Sequence, residues 1–101
     1  VGQRLDLQTL LEETLGSANV YFQPPASVQM QYPCIVYQRY RMVSKFADNN
    51  VWHHTTCYQV TVIDPNPDGL ARDKIADLPM CLYNRFFVAD NLNHDVFNLY
   101  Y

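Results

Sequence analysis

The sequence predicts an α+β domain: a single antiparallel sheet of about four strands packed on two helices, in the order α-β-β-α-β-β, with a long protruding β-hairpin arm. Three observations carry that reading. Leucines near the N-terminus recur at spacings of three and four, the pattern of one helical face. Several later stretches are rich in β-branched and aromatic residues, and one of them alternates apolar with polar as a half-buried strand does. Both helices offer a single apolar stripe, and packing them on one sheet is the economical way to bury it. At 101 residues the chain is one domain, residues 1–101, with no internal repeat or linker.

Residues 4–15 place Leu7, Leu10, Leu11 and Leu15 on one stripe, with Leu5 at its flank and Asp6, Glu12 and Glu13 toward solvent. Gly16 follows, where a helix C-terminus favours a residue tolerant of positive φ. Val20–Gln23 has strand character, but Pro24, Pro25 and Pro33 withhold backbone donors, so residues 23–33 read as an extended surface connection. Cys34–Tyr40 reads as a strand. Thr55–Asp64 reads as a second, with Tyr58, Val60 and Val62 on one face and Gln59 and Thr61 on the other.

Between these strands, RMVSKFADNNVWHH carries the turn signal Asp48-Asn49-Asn50 and forms the arm, which is too long to pack into so small a domain. Arg39 and Arg41, two apart at its base, are expected to share a strand face. Pro65 and Pro67 then stop the strand, Asp68 is placed to cap a helix, and Ala71, Ile75 and Leu78 form its stripe before Pro79 ends it. Tyr83–Ala89 is strand-like, Asp90–His94 is an Asn-rich turn, and Asp95–Tyr101 returns.

Composition narrows the function. Only 17% of residues are charged, against about 25% in ordinary domains. Eight Tyr and five Phe exceed what one such core readily buries, and Tyr suits a surface that is wet alone and dry in a complex. The net charge of −3 and the absence of a basic run argue against gripping nucleic acid. No apolar run approaches the ~18 residues of a membrane span, and VGQRLDLQTLLEETLG has no signal-peptide pattern. Cys34, Cys57 and Cys81, an odd number without a CxxC, read as buried thiols of a protein made in a reducing cytoplasm.

Catalytic and metal readings fare poorly. His53 and His54 are strand neighbours pointing to opposite faces, and His53 lies roughly 13 Å from Cys57 at ~3.3 Å per residue. Neither pair has zinc-ligand spacing. With three Gly in the chain there is no nucleophile elbow, phosphate loop or dinucleotide fingerprint. Asp90 and Asp95 flank the last turn and read as turn residues, and His94 as a solvated turn histidine. The expectation is a non-enzyme without catalytic residues, cofactor or metal.

The runs YPCIVYQR (32–39), YQVTVIDPNPDG (58–69) and LPMCLYNRFFVADNLNHDVFNLYY (78–101) resemble the small tail terminator, or tail completion, proteins of long-tailed bacteriophages. The resemblance covers about two thirds of the chain, from Tyr32 onward, and its motifs are structural rather than catalytic. It implies a virion protein of the tail neck, made in the bacterial cytoplasm without a membrane stage. It also implies a homo-oligomeric ring of six subunits at the head-proximal end of the tail tube. Such a ring stops tube polymerisation and contacts the tail tube protein on one side and the head–tail connector, or stopper, on the other. DNA passes through its lumen without specific binding, which suits an acidic chain.

A ring of identical heterologous contacts needs two different complementary faces. The candidates for them are Arg41, Lys45, Phe46 and Trp52 on the arm and Asn91, His94, Tyr100 and Tyr101 on the C-terminal hairpin. For each, core packing or a solvated loop is the plainer alternative. Two other functions compete: a head–tail connector or adaptor on the head side of the neck, and, from another class, a small ligand-binding or regulatory α+β domain. The latter wants a polar pocket or a Gly-bearing loop that the sequence does not display. An RNA-binding sheet would want basic residues among its aromatics, which are lacking.

Overall fold

A computed structural model describes residues 3–24, 27, 29–47 and 50–101, with backbone alone at Gln3 and along 43–55. The elements are α1 (Gln3–Leu15), β1 (Val20–Phe22), β2 (Cys34–Ala47), β3 (Asn50–Asp64), α2 (Ala71–Ala76), β4 (Cys81–Ala89) and β5 (Leu92–Tyr100). They form one five-stranded sheet in the order β1-β2-β3-β5-β4. The α+β class with two helices stands as the sequence predicts, but the sheet is mixed and has a fifth strand. The extra strand is β1, paired parallel to β2 through Val20↔Ile35, Tyr21↔Val36 and Phe22↔Tyr37. Three residues are enough for an edge strand, and the prolines that follow fall outside it, where they cost no ladder bond.

α1 ends as its sequence dictates: Gly16 sits at φ 80 and its N–H donates to Glu12 O at 2.9 Å. Leu7 and Leu11 are fully buried, Leu10 and Leu15 pack beside them, and Leu5 is exposed. This stripe meets the sheet face carrying Ile35, Tyr37, Tyr58, Val60, Val62, Phe97 and Leu99. Cross-strand register aligns Tyr37, Val60, Phe97 and Tyr83 in one row across four strands. The buried Tyr37 hydroxyl is satisfied from the helix: it donates to Gln8 Oε1 and accepts from Arg4 Nη1 at 3.3 Å.

α2 adds the buried Ile75, with Ala71 and Leu78 packed on the same core. Asp68 does not cap it. The N-cap is Leu70, without a side-chain hydrogen bond, and Asp68 N donates to Asn66 Oδ1 at 3.0 Å within the preceding turn. That turn needs the side chains locally: Asp64 Oδ1 accepts from Asn66 N at 2.8 Å, and a Cβ on Gly69 would collide with the Asp64 carboxylate.

Two further expectations are corrected. The last turn is tighter than Asp90–His94: only Asp90 (φ 54) and Asn91 (φ 61) lie outside the strands, the left-handed pair of a two-residue hairpin turn. Arg39 and Arg41 do not share a face. The ladder slips between them, so Arg39 pairs with Tyr58 and Arg41 with Cys57, residues on opposite faces of β3. No helix among the described residues is long and apolar enough to cross a membrane.

β2 and β3 both run past the body of the sheet. Beyond Tyr40, and before Thr56, they pair only with each other, which is the expected arm. The long axis accordingly measures 50 Å against 26 and 24 Å for the others. Of the turn signal at its tip, Asp48 and Asn49 lie outside the described residues.

Candidate assembly interface

β4 is an edge strand that reads like a core strand. Its sequence is CLYNRFFVA, yet every residue from 82 to 89 is exposed. Register assigns the faces: Tyr83, Phe86 and Val88 sit opposite Phe97, Asp95 and Asn93 on the helix-bearing side, while Leu82 and Phe87 sit opposite Asn98 and His94 on the other. A bulge between Tyr83 and Arg85 inserts Asn84, which is how Tyr83 and Phe86, three apart, come to share a face. α2 is only six residues long and lies beside β4, yet residues 82–89 of that strand stay exposed. A long, apolar, unpaired edge is a template for another chain.

The uncovered strip forms one side of an open groove of about 710 Å³. Its sheet side is made by Tyr83 and Phe86 of β4 with Asp95 and Phe97 of β5, and Arg72 and Asp73 of α2 face them. Asp95 is the one charged residue buried among those described. Its Oδ1 accepts from Tyr83 Oη at 3.1 Å, and the Tyr83 ring stands edge-on to Phe97 at 5.3 Å. Partial desolvation, then the hydrogen bond and negative charge of Asp95, raise the Tyr83 phenol above its ordinary range. A carboxylate offers about four acceptor positions, and Tyr83 is the single side-chain donor that reaches this one among the described residues. Arg72 donates its Nε–H to Asp73 Oδ1 at 3.3 Å, in a solvent-exposed pair. The groove thus combines aromatic walls with a carboxylate that has acceptor positions beyond the one Tyr83 uses.

The residues expected at partner contacts fall in three places. Arg41 is exposed at the base of the arm, and its Nη2 donates to Tyr100 Oη at 2.9 Å, tying the arm to β5. Lys45, Phe46 and Trp52 belong to the arm strands, and their side chains lie outside the described ones. Asn91 is exposed in the hairpin turn, while His94, three residues on, stacks on Phe87 at 4.5 Å and contacts Leu92 O through Nδ1 at 3.0 Å. Tyr101 packs against the core, its N–H donating to Thr56 O at 3.1 Å. Arg41, Asn91, His94, Tyr100 and Tyr101 do not line the groove, and the sequence reading does not single out Phe86 or Tyr83. Asp95, expected as a turn residue, lies on the groove floor because the turn is three residues shorter than Asp90–His94.

The cysteines sit at strand positions as expected, all with free thiols: Cys34 and Cys57 are buried and Cys81 is half-buried. No protein-family model, curated protein or solved structure matches this chain.

Proposed function

We propose that this chain is a structural subunit of a bacteriophage tail, a terminator. It assembles as a six-membered ring at the head-proximal end of the tube, halts polymerisation there and offers the connector its docking surface. The observation that supports this reading best is the presence in one subunit of a protruding β2–β3 arm and, beyond β5, an exposed apolar edge strand. A closed ring needs two unlike faces on every subunit, and an exposed apolar edge strand is a surface that a neighbouring chain can cover. The motifs from Tyr32 onward that resemble the tail terminators give the assembly its identity, and the net charge of −3 suits a lumen through which DNA slides. The groove also meets the minimum demand of a ligand-binding domain, but Tyr83 and Phe86 remain about half exposed along it. Small-molecule sites instead enclose most of their ligand.

Electron microscopy of particles from an induced phage in which this gene is silenced tests the proposal. Abnormally long, headless tubes are the expected result. Tails of normal length beside separate DNA-filled heads would move the chain to the head side of the joint, as a connector or adaptor.

A further inference from the structure

We infer that the groove between α2 and β4 receives the β2–β3 arm of a second copy of this chain, an inference that rests on the ring reading above. Charge comes first. Residues 39–57 hold Arg39, Arg41 and Lys45 against the single acid Asp48, a net +2 in a chain of −3. The groove is lined by Asp73 and Asp95 against Arg72, a net −1, and the stretch that supplies most of its lining, residues 64–95, holds six Asp (64, 68, 73, 77, 90 and 95) against Arg72, Lys74 and Arg85, a net −3. The arm is thus the basic segment of an acidic molecule, and the groove places a buried carboxylate with free acceptor positions beneath an apolar edge.

Area comes next. On the helix-bearing face of β4, Tyr83, Phe86 and Val88 are each 50–59% exposed. At ~150–250 Å² per large side chain that amounts to roughly 300 Å², over a third of the ~800 Å² that one partner gives to a stable interface.

Geometry excludes the chain's own arm. Asp95 pairs with Val62 on β3, and the arm leaves the sheet at Thr56, six residues away. At ~3.3 Å per residue the groove lies about 20 Å behind the start of the arm, which runs outward from it. An arm can therefore enter a groove only from a neighbouring copy, and that contact, repeated, is heterologous and ring-forming.

Photocrosslinking tests the inference directly. Phe86, half exposed, is replaced by p-benzoylphenylalanine in the full-length chain, which is concentrated, irradiated and digested. The expected result is a ladder of covalent dimers and higher species whose joined peptides come from residues 39–57. Deleting residues 43–51 should lower the yield roughly tenfold or more, as loss of an interface anchor does. Thermal melts of both chains establish that they fold, and peptide mapping in the full-length chain decides the matter even where the deletion does not fold. Crosslinks to any other segment, a yield indifferent to the deletion in a folded chain, or a concentrated chain that never crosslinks would each overturn the inference. The phage particles separate the two failures: long headless tubes with crosslinks elsewhere leave the terminator standing and remove only this docking mode.

Discussion

Cys34 has no exposed surface in β2, and burial pushes its thiol from 9.0 up to about 12; burial likewise lifts Cys81 to about 11. Between pH 9 and these values the folded chain keeps protons that the unfolded chain has released, so stability falls as pH rises. The contribution is whole below pH 9 and gone above the folded value, and a single thiol sets a slope of at most ~1.4 kcal/mol per pH unit. Urea unfolding followed from pH 8 to pH 11 should therefore show a shallower alkaline decline for Cys34→Ala than for the parent chain. Parallel declines would mean that the thiol ionises freely in the fold. That Cys34 and Cys57 sit at buried strand positions is legible in sequence, because they lie in apolar strands with no spacing that suggests a bond; Cys81, half-buried, precedes the strand that the sequence marks at Tyr83–Ala89. Asp95 is not legible. It follows Asn91, Asn93 and His94, a cluster that reads as a turn, and only the two left-handed residues Asp90 and Asn91 reveal that the turn closes early and carries Asp95 into the sheet. The separation of Arg39 from Arg41 is hidden for a similar reason: a bulge adds a residue without marking the sequence.

Phe86 and Phe97 belong to neighbouring strands of one hairpin, and the fold gives them opposite energetics. Phe97 is fully buried at the centre of the core row, so Phe97→Ala should cost ~3–5 kcal/mol through lost burial and a cavity. Phe86 is half in water already, and Phe86→Ala should shift the isolated chain by less than ~1 kcal/mol. Chemical denaturation of the two variants at low protein concentration measures both, and equal losses would mean that β4 is covered in the free subunit. Local pattern cannot make this distinction, because FFV in β4 and VFNL in β5 both satisfy strand preference. What separates them is place in the sheet: β5 lies between β3 and β4 with Phe97 in the core row, whereas β4 is the edge and its side chains reach solvent. α1 and the two long strands are legible because each spans enough residues to show its period, while the six-residue α2 is bracketed by the breakers Pro67 and Pro79. β1, three residues beside a proline-rich stretch, is too short to do so.

At the scale of the whole molecule, the division of charge is the property that assembly would use. The arm carries +2 and the remainder −5, since the chain totals −3. Copies of one acidic protein repel on average, and association is favoured only in orientations that bring an arm to an acidic face. Such an attraction weakens once salt shortens the screening length to a few ångströms, about 3 Å at 1 M. An association driven by the apolar edge alone would strengthen under a salting-out anion such as sulfate and change little in chloride. Sedimentation velocity at fixed protein concentration, with sodium chloride raised from low to molar, separates the two. If arms seat in grooves as inferred, the weight-average mass falls steadily toward that of the 11.8 kDa monomer. A mass that holds constant or rises would assign the contact to β4 packing without the basic arm, and the arm would then be free to meet the tube or the connector instead.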